Sequence, residues 1–405
     1  MADTNIEWAD RVWNPIAGCS IVSPGCTNCY AMKMAHRIEG MNAALGRRNH
    51  YAGLTMKTKA GAVWTGKVAV AADSIFLAPL GWKKPARVFA NSMADMFHED
   101  VPDEVIDRAF AVMALCPHLT FMVLTKRAAR MREWFEERWQ GTPAQDIRMP
   151  DGEILHCPRG GETGRRHQIE QALREIADQR GMIDPDIDEQ WDEKGRLKIA
   201  RFDWPLPNVW LGVSTEDQAR ADERIPHLLA TPAAKRFISA EPLLAAIDLE
   251  RVGCLEAIRE AMPTIIVREE RGRPRSGNGS ICGAQIDSVG SFGSSITFFQ
   301  TPDHMGGFTA TSPRQWPRLD WVIAGGESGP KARASHPDWF RALRDQCAAA
   351  GVPFFFKQWG EWAPLDGTGL VSEQPDAKPR DDIYRIGKRR AGAMLDGKPH
   401  REFPA

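Results

Sequence analysis

No stretch of this chain approaches the roughly 18 consecutive apolar residues that a membrane-spanning helix requires. The opening segment Met1-Ala-Asp-Thr-Asn-Ile-Glu7 also lacks the basic-then-apolar order of a secretory leader. Both absences lead to the expectation of a cytoplasmic protein with no membrane partner. Charge of one sign is missing as well: 52 basic residues face 53 acidic ones, for a formal net charge of −1. That balance argues against a dedicated polyanion binder and leaves room only for a local basic patch. Cysteine, at eight in 405 residues, is too sparse for a disulfide scaffold. No internal sequence repeat is evident either, which sets repeat architectures aside.

Three of the few cysteines nevertheless crowd one loop. Cys19-Ser-Ile-Val-Ser-Pro-Gly-Cys26-Thr-Asn-Cys29 has the spacing C-x6-C-x2-C and runs into Tyr30, where apolar residues begin to recur at helical spacing. Two residues between Cys26 and Cys29 let both sulfurs turn onto one centre, and the Ser23-Pro24-Gly25 turn brings Cys19 within reach. Crowding of this kind in a reducing compartment favours metal over disulfide. The positive end of the following helix favours thiolate. No fourth Cys or His follows at ligand spacing, the nearest being His36. A structural zinc site wants four protein ligands, whereas three cysteines on a [4Fe-4S] cluster leave one iron open to a ligand.

Beyond residue 86 a repeated grammar sets in, of near-continuous apolar runs that turn abruptly polar and lead into helical periodicity. The runs are Arg87–Met93, Leu119–Lys126, Asn208–Ser214, Arg236–Glu241, Trp321–Glu327 and Pro353–Gln358. Strands of that character suit a parallel sheet covered on both faces. With the cysteine-bearing first unit they predict about seven β/α units and an α/β fold, an open or distorted (β/α) barrel. The core expected is 1–140 with 208–250 and 319–362, interrupted by insertions at 141–207 and 251–318 and followed by a tail at 363–405.

Polar residues fall at the C-terminal ends of these runs, the edge that carries the active site in a barrel. Asn91, Ser92 and Asp95 follow the first run and are candidate cofactor contacts. Lys126, Glu241 and Lys357 are candidate catalytic groups, suited to a substrate carboxylate, phosphate or base edge. For any one of them a helix cap or a solvated loop group is the plain alternative. His98, set among Asp95, Glu99 and Asp100, reads as a residue that orients a loop rather than an acid or base, with a surface charge cluster as the equal alternative.

The cysteine loop with its trailing aromatic resembles the cluster loop of the radical S-adenosylmethionine (radical SAM) superfamily, with a wider first gap. The wider spacing is similar to a phage- and prophage-associated three-cysteine-motif family of unknown function. Further matches are Trp210–Thr215, Ser239–Leu244, Gly325–Gly329, Phe354–Gly360 and Lys388–Gly397. The resemblance implies a TIM-barrel-related fold, a [4Fe-4S] cluster on Cys19, Cys26 and Cys29, and S-adenosyl-L-methionine as cofactor. It also implies an electron donor such as a flavodoxin or ferredoxin, a co-encoded partner protein, and a nucleic-acid base or nucleotide as substrate for modification or repair. By the same resemblance Gly325, Gly326 and Glu327, with Ser328 beside them, look like the segment that holds the methionine amino group. Read from the residues alone, a Gly-Gly at a strand end lets the backbone approach a ligand, or simply makes a tight turn with a solvated Glu.

Two other readings of the same cysteines stay open: a non-catalytic zinc module that binds nucleic acid or protein, and an iron–sulfur protein that only carries electrons or senses redox state. Within the insertions, Gln168–Arg180 predicts a helix, Asp184–Lys194 a solvated charged stretch, and Arg268–Gly279 a basic mobile segment able to meet phosphate. His156, Cys157 and His167, or Cys254 and Cys282, lack the tight spacing of a second metal site. The fourteen tryptophans read chiefly as residues that pack loops onto the core, with base stacking as the alternative.

Overall fold

The computed structural model describes residues 4, 6–47, 50–59, 61–136, 138–139, 145–148, 154–157, 163–182, 202–254, 318–364 and 383–405. Seven strands form one parallel sheet. They are β1 (Arg11–Trp13), β2 (Ala86–Ala90), β3 (Leu119–Thr125), β4 (Val209–Ser214), β5 (Lys235–Ala240), β6 (Trp321–Gly325) and β7 (Phe354–Gln358). Their order across the sheet is their order along the chain. Six helices accompany them: α1 (Tyr30–Ala44), α2 (Asp103–Ala114), α3 (Ala128–Glu136), α4 (Arg165–Gln179), α5 (Gln218–Ala230) and α6 (Pro337–Ala350). Asp217 caps α5 by accepting from the Arg220 N–H at 2.9 Å, and Pro337 opens α6.

An unreversed parallel order has a mechanical consequence. Right-handed crossovers that always advance the same way put their helices on one face: α2 to α6 share one core there, so the sheet curls around the other face, and α1 packs in a separate cluster. The result is an open half-barrel, as the alternation of apolar runs predicts. Along each strand the outward residues join the helices in one core: Val88 and Ala90, Phe121 and Val123, Ile238 and Ala240, Val322 and Ala324. The intervening residues Phe89, Met122, Phe237, Trp321 and Phe355 form a second, inner cluster with Trp8.

Trp321 is the centre of that inner cluster. Its ring lies 5.0 to 6.5 Å, centroid to centroid, from Trp8, Trp210, Phe237, Phe355 and Phe403, and its Nε1–H donates to the Glu402 carbonyl at 2.8 Å. Aromatics therefore close the bottom of the half-barrel. Gly212 makes room for them, since a Cβ there would come within 2.4 Å of the Phe237 ring. At least these tryptophans act as packing groups, as the plainer reading holds.

The helix expected over Gln168–Arg180 is α4, and it is part of the main core: Ile169, Leu173 and Ile176 are buried. Arg165 at its start is 1% exposed and ties three helices together. It donates to both carboxylate oxygens of Asp107 at 3.1 Å, to Asp103 at 2.8 Å and to the Trp134 carbonyl at 2.9 Å. The chain after β7 is also ordered against the sheet. Trp362–Pro364 pairs antiparallel with Ile383–Arg385, and the Phe356 N–H donates to the His400 carbonyl beside β7.

Cys254 is buried, and its thiol donates to the Leu249 carbonyl at 3.3 Å. The stretches Asp184–Lys194 and Arg268–Gly279, Cys282, and the side chains of His156 and Cys157 lie outside the described residues. No helix among the described residues is long and apolar enough to cross a membrane.

Removing the hub of the inner cluster tests this arrangement. Trp321→Ala should lower stability by about 3–5 kcal/mol, the usual cost of emptying a large aromatic site, read as a lower midpoint in urea unfolding. An unchanged midpoint would mean that the aromatic floor does not support the barrel.

Candidate functional site

A cavity of about 640 Å³ opens at the C-terminal ends of the strands. The three cysteines line one side of it, and Asn91, Lys126 and Glu241 stand on others. The cysteine loop lies between the short strand Ile16–Ala17 and α1, with a single 3-10 turn at Pro24–Cys26. So little internal structure cannot hold a loop in place, and the strand ends hold it instead.

Four of them reach it. After β2, Ser92 accepts the Tyr30 hydroxyl at its carbonyl, at 2.9 Å. After β3, Arg127 donates to the Ser20 hydroxyl at 2.5 Å and to Cys19 Sγ at 3.7 Å. After β4, the wholly buried Glu216 accepts the Gly25 N–H at 3.2 Å and is balanced by Arg224 at 3.1 Å. After β6, Glu327 accepts from the Asn28 side chain at 3.2 Å. Asn28 also donates to the Lys331 carbonyl at 3.0 Å.

Cys19, Cys26 and Cys29 are free thiols. Burial, and next the Asp95 carboxylate, push the Cys19 thiol up to about 12 against the pull of Arg127. Burial also pushes Cys29 up; the N–H groups of Ala31 and Met32 at the start of α1 favour its thiolate but do not prevail. The expected benefit of the helix end is therefore present and outweighed. Thiols in this state ionise when a cation arrives to take the charge, with release of protons.

His36 is not in the cavity wall: its Nδ1 contacts the Thr55 hydroxyl at 3.2 Å. His98, 3% exposed, contacts the Ser20 hydroxyl through Nε2 at 3.1 Å and accepts the Asp100 N–H at 3.1 Å, so it braces the loop rather than joining a surface charge cluster. Among the described residues, no group of three or more His, Cys, Asp or Glu side chains is gathered so as to hold a metal ion. A single ion would require sulfurs about 2.3 Å from one point, whereas a cluster shares its thiolates among different irons. Cys19, Cys26 and Cys29 line the cavity together, and no histidine is among its described lining residues.

The polar candidates separate into groups that the protein has already satisfied and groups that it has not. Asp95, 5% exposed, accepts from the Thr125 hydroxyl at 2.6 Å, the Lys126 and Phe97 N–H groups at 3.0 and 3.1 Å, and Arg127 at 3.1 Å. It orders the end of β3. Ser92 donates its hydroxyl to Asn14 at 3.2 Å. Ser328 accepts from Gln358 at 3.2 Å. Glu241 and Lys357 face each other at 2.7 Å on the inner wall.

Glu327 is neither solvated nor available to an ammonium. Its carboxylate accepts three hydrogen bonds from Arg333, at 2.7 to 2.9 Å, besides that from Asn28. Burial pushes its carboxyl upward, but Arg333 and Asn28 prevail and hold it below the ordinary range. Gly326 serves close packing of backbone on backbone, because a Cβ there would lie 1.8 Å from the Trp359 carbonyl oxygen. Gly325 is not among the lining residues; it sits against the Glu241 and Lys357 side chains.

Two candidates remain unsatisfied. Asn91 is 2% exposed, has a left-handed backbone at φ 60°, and neither atom of its amide has a hydrogen-bond partner. Lys126 lines the cavity with no ion pair among the described residues. Sequence reading did not single out Asn28, Glu216 or Arg333. Glu216 follows Ser214 and Thr215 on the same polar edge, but its partner Gly25 is 191 residues away, and Asn28 is 299 residues from Glu327.

The profile of a protein family of unknown function, DUF5131, matches residues 3–404, and the chain belongs to that family. No curated protein and no solved structure matches it.

The Glu327 tie should be visible in local dynamics. Glu327→Gln should raise hydrogen exchange of residues 25–30 about tenfold while the sheet strands stay protected, in line with a charged hydrogen bond of roughly 1.5–3 kcal/mol. The folded carboxyl titrates below the ordinary value of 4.5, so the tie is at full strength above that pH and is lost as the pH falls through the folded value. Unchanged exchange in the variant would remove Glu327 from the support of the loop.

Proposed function

We propose that this member of the family is an iron–sulfur enzyme of the radical SAM type, acting on a nucleotide or a nucleic-acid base. The observation that carries the reading is the placing of three free thiols, on one braced loop, in the wall of a cavity at the C-terminal mouth of a parallel half-barrel. The likeness of the cysteine loop to the cluster loop of radical SAM proteins, and of Gly325-Gly326-Glu327 to a segment of the same superfamily, supplies the rest.

Cys19, Cys26 and Cys29 would hold the cluster, with no fourth protein ligand. When bound and reduced by a donor such as a flavodoxin or ferredoxin, a [4Fe-4S] cluster supplies the electron that cleaves S-adenosylmethionine to a 5′-deoxyadenosyl radical, which abstracts hydrogen from a substrate. The chain's own share is containment and positioning. The aromatic cluster around Trp321 closes the cavity from below and excludes water on that side. The bonds from Ser92, Arg127, Glu216 and Glu327 hold the cysteine loop still. Glu241 and Lys357 neutralise each other, so that wall presents an oriented dipole rather than a free acid or base. The open groups, Asn91 and Lys126, are those left to meet a ligand.

Anaerobic reconstitution with iron and sulfide tests the reading. Wild type should turn brown, absorb near roughly 400 nm and hold about four irons per chain. Cys26→Ser should lose both colour and iron. With dithionite and S-adenosylmethionine, wild type alone should release 5′-deoxyadenosine. A colourless protein with one zinc per chain, or cofactor cleavage that persists in Cys26→Ser, overturns the proposal.

A further inference from the structure

The charges that line the cavity answer one another at short range. Asp95 meets Arg127 at 3.1 Å, Glu241 meets Lys357 at 2.7 Å, and Glu327 meets Arg333 at 2.7 Å. Glu7 stands between Lys357 at 3.8 Å and Lys388 at 3.7 Å. Lys126 is different. Among the described residues no carboxylate lies within 4.0 Å of its ammonium, and it acts on Cys29 and Glu216 only through space.

Asn91 leaves the sheet on the neighbouring strand, where Ala90 of β2 is in register with Val123 of β3. Its amide is buried with a donor and an acceptor both unused. Leaving such a group unpaired costs about 1–3 kcal/mol, and a left-handed backbone on a residue other than glycine adds about 1–3 more. Proteins retain both costs together where a ligand repays them. An unneutralised ammonium and an amide N–H with no acceptor, at neighbouring strand ends in the wall of one cavity, call for one chemistry, an oxygen anion that accepts from both.

We infer that Asn91 and Lys126 form an oxyanion subsite that takes a carboxylate or phosphate group of the ligand. The subsite deepens the proposed function by naming the ligand class, yet it stands on geometry that does not involve a cluster. A carboxylate would come from S-adenosylmethionine and a phosphate from a nucleotide.

Isothermal titration of the full chain, free of iron, separates these sources. The probes are S-adenosylmethionine, adenosine 5′-monophosphate and, as the neutral reference, adenosine. At least one of the two probes that carry an oxyanion group, the S-adenosylmethionine carboxylate or the monophosphate, should bind wild type more tightly than adenosine does. Lys126→Met, which keeps the apolar stem, and Asn91→Gly, which tolerates the backbone conformation, should each weaken that probe by roughly 10- to 100-fold and leave adenosine unchanged. Lys126→Arg should restore part of the loss, showing that charge rather than folding is at issue. Sensitivity confined to S-adenosylmethionine assigns the carboxylate, and sensitivity confined to the monophosphate assigns the phosphate.

The inference is overturned if neither oxyanion-bearing probe binds better than adenosine, or if Lys126→Met binds both as wild type does. A Lys126→Met protein that keeps anion affinity but fails to take up iron would also overturn it, and would make Lys126 a countercharge to Cys29. Loss of anion binding in a chain that never loads iron would leave the subsite standing and remove the cluster reading alone.

Discussion

Everything in this structure follows from a parallel sheet whose spatial order never departs from chain order. A doubly wound sheet reverses once and covers both faces with helices. Here all the crossovers advance in one direction, so α2 to α6 share one face and the chain fills much of the other with its own side chains. Those side chains grade from bottom to top. Aromatics around Trp321 fill the inner face along the strands, reaching the cavity at Trp8 and Phe89, while Asn91, Lys126, Ser214, Ser239 and Glu241 stand at or just beyond the C-terminal ends. A cavity at one end and a sealed floor at the other are thus two results of the same topology.

The cysteine loop depends on that mouth for its shape. It contributes few hydrogen bonds of its own and borrows its position from groups on four strand ends, three of them through the buried acids Asp95, Glu216 and Glu327. Each acid is compensated by an arginine, so none stands as an uncompensated buried charge, which would cost several kcal/mol. The arrangement spends charge on orientation. Arg127 is the clearest instance, since one guanidinium spans Asp95, Glu99, Ser20 and Cys19 and so couples the end of β3 to the first cysteine.

The fold was largely legible in the sequence because its signals are local. Apolar runs such as Leu119–Thr125 and Trp321–Gly325 announce buried strands, and helical periodicity after them announces the crossovers. The site was legible as a list of residues on one edge, and twelve of the thirteen expected positions lie in the cavity wall, Gly325 being the exception. Their division of labour was not legible. Asp95 and Glu327 have the same credentials in sequence as Asn91, but each is saturated by partners that the sequence places far away or on a later turn. Arg333 lies six residues beyond Glu327, across an irregular loop with no period to predict which way it points. Gly326 was equally ambiguous. The residue type announces a close approach, and only the coordinates say that the approaching atom is the Trp359 carbonyl rather than a ligand.

Saturation of the charged wall narrows where chemistry can reside. A paired carboxylate such as Glu241 gives up its partner at a cost before it can act as a base, and a paired ammonium such as Lys357 does the same before it can act as an acid. Groups already bonded are better suited to holding still, and a preorganised wall does not reorganise when a ligand arrives. Among the open valences of the cavity are then three thiols, the Asn91 amide, the Lys126 ammonium and the buried Gln358 carbonyl. The thiols call for a cation, and the amide and ammonium call for an anion. A ligand that brings both signs, metal on one side and an oxyanion on the other, answers the thiols and the Lys126 ammonium at once, whereas a purely neutral or purely cationic ligand leaves part of this cavity unpaired.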